Sequence, residues 1–172
     1  MIIAISGKSG CGNSTVSRSL AQRLGYRFVN YTFHNMAEEL GLDFQAMLEL
    51  AASNSEYDRR LDRTQVELAR QGDCVIGSRL AIWLLRHEAF TVYLKASEEV
   101  RARRIWQREG GDLEVVRAFT HERDLGDHRR FMELYGIDND DYAFCDLIVD
   151  AERLSPPEEV ELIAKAAIGK AG

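Results

Sequence analysis

Met1-Ile2-Ile3-Ala4-Ile5-Ser6-Gly7-Lys8-Ser9-Gly10-Cys11-Gly12-Asn13-Ser14-Thr15 is the stretch that decides how this chain folds. It opens with a short apolar run from Ile2 to Ser6, read as a buried strand. Gly7, Gly10 and Gly12 follow within six residues. Glycine at these places lets the backbone curl until successive N–H groups point at one spot, a cradle for an anion. From about Ser14 to Leu24 the pattern becomes that of an amphipathic helix, and Gly25 supplies its stop. The start of that helix adds its positive dipole end to the cradle. Strand, glycine loop and helix together predict an α/β fold.

Outward from this unit, short β-rich runs alternate with longer helical patterns, as in a parallel sheet wrapped by helices. Further strands are expected at 26–30, 74–77, 90–94 and 147–149. Helices are expected over 33–50, broken at Gly41-Leu42-Asp43, and over 55–70, 79–86 and 112–135. Another starts at a Ser97 cap and ends at Gly110-Gly111. The last starts at Ser155, with Pro156 and Pro157 at its opening and Glu158 and Glu159 in its first turn. No internal repeat or low-complexity linker interrupts the pattern, and 172 residues suit one domain.

The composition excludes several classes. With a net charge of −6, 45% hydrophobic and 29% charged residues, the chain has an ordinary globular make-up and no basic surface for nucleic acid polymers. The apolar start is too short and too poor in basic residues for a signal peptide, and no run matches a membrane span. A cytoplasmic protein without a membrane partner, monomeric or weakly dimeric, is expected. Cys11, Cys74 and Cys145 are far apart and odd in number, and the four histidines show no ligand spacing. Reduced thiols and no structural zinc are expected. The 22 basic residues comprise 18 Arg and 4 Lys, a bias that suits bidentate phosphate contacts and equally fits codon bias.

The glycine loop follows the phosphate-binding pattern G-x-x-x-x-G-K-S/T, the P-loop, with one break. Gly7, Lys8, Ser9, Gly10, Cys11, Gly12, Asn13, Ser14 and Thr15 are expected to hold ATP, and the Ser14 hydroxyl to bind Mg²⁺. Asn13, however, stands where the pattern has lysine, which removes a full positive charge from the reacting centre. Either the protein binds nucleotide and catalyses weakly or not at all, as a regulator would, or another cation substitutes. Lys8 is the obvious substitute, in the same loop and the only lysine in the first 94 residues; an arginine from farther along is the other.

Arginines are plentiful from Arg101 to Arg130. Arg101, Arg104 and Arg108 fall at i, i+3 and i+7 and share one helix face, either to reach phosphates or as a solvated face paired with Glu98, Glu99 and Glu109. In Arg123-Asp124-Leu125-Gly126-Asp127-His128-Arg129-Arg130, the residues Arg123, Asp127 and Arg130 are spaced by four and three. On a helix they project to one side, two guanidinium groups with a carboxylate between them, a grip for a phosphate.

That segment closely resembles the lid of cytidylate kinases, whose corresponding arginines and aspartate contact the CMP phosphate and base. Glu122-Arg123, Asp127, Arg130-Phe131 and Tyr135-Gly136-Ile137-Asp138 resemble the short archaeal-type members in particular. So do Tyr57-Asp58-Arg59-Arg60-Leu61-Asp62-Arg63-Thr64-Gln65-Val66-Glu67-Leu68-Ala69, against the pattern I-D-x-x-L-D-x-x-Q-x-E-L-A, the run Arg79-Leu80-Ala81-Ile82-Trp83, and Asp146-Leu147-Ile148-Val149. The resemblance spans nearly the whole chain. It implies a P-loop kinase fold with a five-stranded parallel sheet: a core at 1–30, 73–100 and 143–172, an acceptor-binding helical region at 31–72 and a helical lid at about 105–135.

The resemblance further implies ATP and Mg²⁺ as cofactors and γ-phosphoryl transfer to CMP or dCMP. His34, Asp58, Arg79, Arg123, Asp127 and Arg130 are expected at the acceptor, Arg104 and Arg108 at ATP, and Lys8, Arg123 and Arg130 in catalysis. Some archaeal-type members carry threonine in place of the P-loop lysine. The chain departs from the family at Asn30-Tyr31-Thr32-Phe33-His34, where G-D/E-x-F-R is usual, so that His34 replaces an arginine. It also lacks the glutamate before the Gly-Arg that follows the third strand. A kinase for another small metabolite is a further reading, against which the lid segment and the lack of a D-x-D after the second strand argue. If another cation substitutes for the missing lysine, Asn13→Lys keeps or raises turnover in a coupled assay. Complete loss would mean a loop built around asparagine.

Overall fold

The computed structural model describes residues 1–171 and places every expected strand in one parallel sheet. The strands are β1 (Ile2–Ser6), β2 (Arg27–Val29), β3 (Cys74–Gly77), β4 (Ala89–Lys95) and β5 (Leu147–Asp150), in the order β2-β3-β1-β4-β5. The helices are α1 (Asn13–Leu24), α2 (Phe33–Leu40), α3 (Phe44–Ser53), α4 (Glu56–Ala69), α5 (Ala81–Leu84), α6 (Glu98–Glu109), α7 (Leu113–Tyr135) and α8 (Pro156–Ala171). Among the described residues no helix is long and apolar enough to cross a membrane.

Strand alternation builds two apolar layers. Ile3 and Ile5 of β1 with Val92 and Leu94 of β4 pack on one face against Val16 and Leu20 of α1 and Ile163 of α8. Ala4, Ile76 and Tyr93 point the other way, against Ala69 of α4 and Ile82 of α5. A satellite cluster of Tyr31, Met36, Ala37 and Met47 gives the helices beyond β2 a small core of their own.

Two elements are shorter than the sequence pattern implies. The Tyr26 amide donates to the Ala21 carbonyl, closing the end of α1, so β2 starts only at Arg27. After β3 the helix begins at Ala81, because the Ser78 amide bonds the Ile5 carbonyl and Ser6 Oγ accepts from the Ile82 amide. That tie to β1 keeps Ser78 and Arg79 out of the helix, at the mouth of the sheet. Past Gly110-Gly111, Asp112 caps α7 by accepting from the Glu114 and Val115 amides, and α7 turns back against α6.

Gly10 combines a left-handed backbone with a close approach to another element. Its φ is +87°, and a Cβ there would lie 2.8 Å from the Arg101 carbonyl oxygen of α6. Gly12, at φ +96°, faces open space. Gly10→Ala is expected to lower the thermal midpoint by about 4–8 °C, roughly 2 kcal/mol. Gly12→Ala bears the backbone strain alone, so its loss in the same melts is smaller.

Candidate active site

The exits of β1 and β3 open into a cleft of about 330 Å³ lined by the glycine loop, Gly77, Ser78, Arg79, Arg104 and Arg108. Gly7, Lys8, Ser9, Gly10, Gly12, Asn13, Ser14 and Thr15 all border it. Cys11 does not. Its side chain is buried in the core, where desolvation holds the thiol above its ordinary pKa, so only its backbone belongs to the loop's outline.

Asn13 does not reach into the cleft as a lysine would. Its Nδ2 donates to the Gly7 carbonyl at 2.8 Å, stapling the two ends of the loop. The loop is thus built in part around this amide. Lys8, by contrast, borders the cleft, and its ammonium lies 2.7 Å from Asp140 Oδ1.

The three arginines of one spacing are split by the packing. Arg101 is 3% exposed and turned into the interior. Its guanidinium donates to Asp124 Oδ1 at 3.2 Å and Oδ2 at 2.6 Å, to the Ser9 carbonyl at 3.1 Å and to the Ala96 carbonyl at 3.2 Å. Arg104 and Arg108 do border the cleft. Arg104 bonds the Ala151 carbonyl, and Arg108 pairs with Glu109 at 2.7 Å.

A second cleft, of about 410 Å³, lies between α4, the turn after β3 and α7. Arg79, Arg123 and Arg130 enter it from one side and Asp58, Asp62 and Gln65 from the other. Asp127 sits behind the arginines and bridges two of them: Arg79 donates to Oδ2, and Arg130 Nη2 donates to Oδ1 at 3.2 Å. Arg130 Nη1 is also 3.6 Å from Asp58 Oδ1. Arg123 lines the cleft and, among the described residues, forms no ion pair. Arg79 borders both clefts and marks their seam.

His34 stands apart from this group. Its ring stacks on Phe44 at 3.6 Å between centroids, exposed on α2, and it is not among the residues lining the cleft. The helical turn that carries it brings Phe33 to the cleft instead. The structure does not bring His34 to the group of residues around that cleft.

Residues 2–153 match the model of the cytidylate kinase-like family. The chain belongs to that family. It is 42% identical over 167 residues to "Cytidylate kinase 2" of Borreliella afzelii, covering 95% of this chain and 94% of that one. It is 38% identical over 159 residues to "Cytidylate kinase" of Methanocaldococcus jannaschii, covering 89% of each. Among solved structures, shikimate kinase from Bacteroides thetaiotaomicron superposes with a TM-score of 0.65 at 15% identity over 96% of both chains. Deoxyadenosine kinase from M. mycoides, solved with bound dATP, gives 0.58 at 17% over 96% of this chain and 98% of that one. At those identities the likeness concerns the fold. As a cytidylate kinase-like protein the chain is an enzyme, an ATP-dependent nucleoside monophosphate kinase.

Within this cytidylate kinase-like site, residues other than the arginines also line or brace the second cleft. Asp58, Asp62 and Gln65 recur at i, i+4 and i+7 on α4, a spacing that could have marked them as one face. Gln65 Nε2 donates to the Tyr31 carbonyl at 2.8 Å and fixes the wall of the cleft. Tyr135, at the end of α7, donates its hydroxyl to Asp62 Oδ2 at 2.7 Å. Ser78 Oγ is buried without a partner where the two clefts meet.

Burial shapes the charges. Desolvation pushes the Asp62 carboxyl up to about 6, against the opposing pull of the Tyr135 hydrogen bond, and it raises Asp58 although Arg130 opposes it. Desolvation also lowers Arg79, opposed by Asp127 and aided by Arg123 and Arg130. Below Arg104, the buried Glu159 is pushed up to about 7 by desolvation. Asp62 is protonated more readily folded than unfolded, so its stabilising contribution is complete below the ordinary carboxylate pKa and is lost as pH rises through about 6. In urea titrations, wild type is expected to lose stability relative to Asp62→Asn between about pH 4 and pH 6, by at most about 3 kcal/mol. A difference that does not change with pH would return this carboxyl to its ordinary range.

Proposed function

We propose that the protein transfers the γ-phosphoryl group of ATP to CMP or dCMP, giving CDP or dCDP and ADP. The observation that carries this reading is the seam at Arg79, where a cradle of backbone amides meets a second cleft lined by guanidinium groups. A donor triphosphate in the first cleft and a monophosphate in the second would both touch that arginine.

In this reading the loop amides from Gly7 to Thr15 and the start of α1 hold the donor phosphates. Arg104 and Arg108 lie along the same cleft for the rest of ATP. Arg79, Arg123 and Arg130 hold the acceptor phosphate, and Asp127 aims Arg79 and Arg130 by accepting from both. The exocyclic amine of cytosine is a hydrogen-bond donor, and Asp58 and Asp62 offer carboxylate oxygens on the facing wall. The acceptor phosphate oxygen is already anionic, so no general base is required.

Mg²⁺ takes oxygen ligands and keeps much of its shell from phosphates and water. The donor set fits it: Ser14 and Ser78 both border the cleft, Ser78 Oγ has no partner, and the Ser14 hydroxyl would be the protein's oxygen ligand. When bound, Mg²⁺ neutralises charge on the phosphates. The protein's own part is to align the two phosphates and exclude water between α4 and α7.

A coupled assay with ATP and a panel of monophosphates tests the reading, with CMP or dCMP expected to be the preferred acceptor. Arg123→Ala is expected to lower kcat/KM for that acceptor about 10–100-fold, the loss of one or two charge-assisted hydrogen bonds, with little change in KM for ATP. ATP binding without transfer to any monophosphate would instead point to a nucleotide-binding regulator, the reading that Asn13 invites.

A further inference from the structure

The ammonium of the glycine loop is held by a partner from another part of the chain. Lys8 Nζ lies 2.7 Å from Asp140 Oδ1. Asp140 belongs to the segment that links α7 to β5, and its second oxygen lies 3.9 Å from His128 Nδ1 on α7. Lys8 borders the donor cleft on one side of the loop. On the other side it borders a recess of about 430 Å³ whose wall includes Asp140, His128 and Asp124. The usual lysine position is occupied by an amide turned back to Gly7, so Lys8 is the one side-chain cation the loop carries.

We propose that Asp140 is a positioning residue for Lys8, holding its ammonium at the edge of the donor cleft in place of the missing P-loop lysine; the inference rests on the kinase reading above. A lysine stem has four rotatable carbons and loses that freedom when it is fixed on a substrate. A carboxylate at 2.7 Å fixes it beforehand. The ammonium has three N–H donors, so one stays on Asp140 while another turns to a phosphate oxygen. Asp140 also faces His128, and with it the helix that carries the acceptor arginines. An ordinary surface ion pair of similar exposure contributes little and leaves turnover unchanged, so the two cases separate by experiment.

The experiment is a double-mutant cycle on the full chain with Lys8→Ala, Asp140→Asn and the double variant, measuring kcat and KM for CMP and, by calorimetry, the affinity for ATP. Asp140→Asn is expected to lower kcat about 10-fold with KM for CMP unchanged, and Asp140→Glu to restore most of the rate. In the Lys8→Ala background, Asp140→Asn is expected to change kcat by less than about 2-fold. Unchanged kcat in Asp140→Asn, or an equal drop with and without Lys8, overturns the proposal. If the wild type binds ATP yet phosphorylates none of the monophosphates, the kinase reading fails, and the calorimetric cycle decides the pairing. Asp140→Asn must then weaken ATP several-fold only when Lys8 is present; equal affinities with and without the substitution overturn it.

Discussion

The phosphate loop, α6 and α7 keep their places because the charge of Arg101 is satisfied in the interior. A guanidinium 3% exposed is costly unless each donor finds an acceptor. Here the acceptors come from three places: the Ser9 carbonyl of the loop, the Ala96 carbonyl after β4 and both carboxylate oxygens of Asp124 on α7. Removing one partner of such a buried pair typically costs about 3–5 kcal/mol. The arrangement therefore behaves as a unit, and the close approach of Gly10 to the Arg101 backbone belongs to it. Because Asp124 lies on the helix that carries Arg123, Asp127 and Arg130, the loop's shape and those three side chains share one anchor.

The site is cationic although the chain is acidic, and the distribution of partners explains how. Surface arginines are matched locally, as with Arg103 and Glu99 or Arg70 and Glu88. In the cleft between α4 and α7, Arg79 and Arg130 share Asp127 and Asp58 while Arg123 has no such partner among the described residues, which leaves that wall with positive charge. Asp127 is half-buried behind them, and its two oxygens set the directions of Arg79 and Arg130 more than they cancel charge. The opposite wall carries carboxyl groups whose burial makes them easier to protonate, Asp62 most of all. A cleft with a cationic side and a carboxyl side is suited to a ligand that is anionic at one end and donates hydrogen bonds at the other.

Local pattern made the secondary structure legible. Short apolar runs, the glycines at the ends of α1, α2 and α6 and the Ser97 cap all act within a few residues, and the elements fall where those signals place them. The shortfalls came from bonds between distant segments. The tie of Ser78 to β1 shortened α5, and three arginines at helical spacing looked alike until packing drew Arg101 inward. His34 follows Phe33 at the place of the arginine in G-D/E-x-F-R, and its ring stacks on Phe44. Asp62 and Tyr135 lie in segments that the resemblance marked, but nothing along the chain showed that they bond each other, and Ser78 carries no motif at all.

What the sequence determined by itself is the order of strands and helices, the anion-binding glycine loop and the residue types gathered around it, because these follow from backbone sterics and side-chain periodicity along the chain. Only the tertiary structure decided which arginine is an internal brace and which faces a cleft, that Asn13 staples the loop, and that Lys8 meets Asp140. Each of those outcomes depends on which groups are desolvated together, and segments as far apart as residues 8 and 140 come within hydrogen-bonding distance only once the sheet has formed.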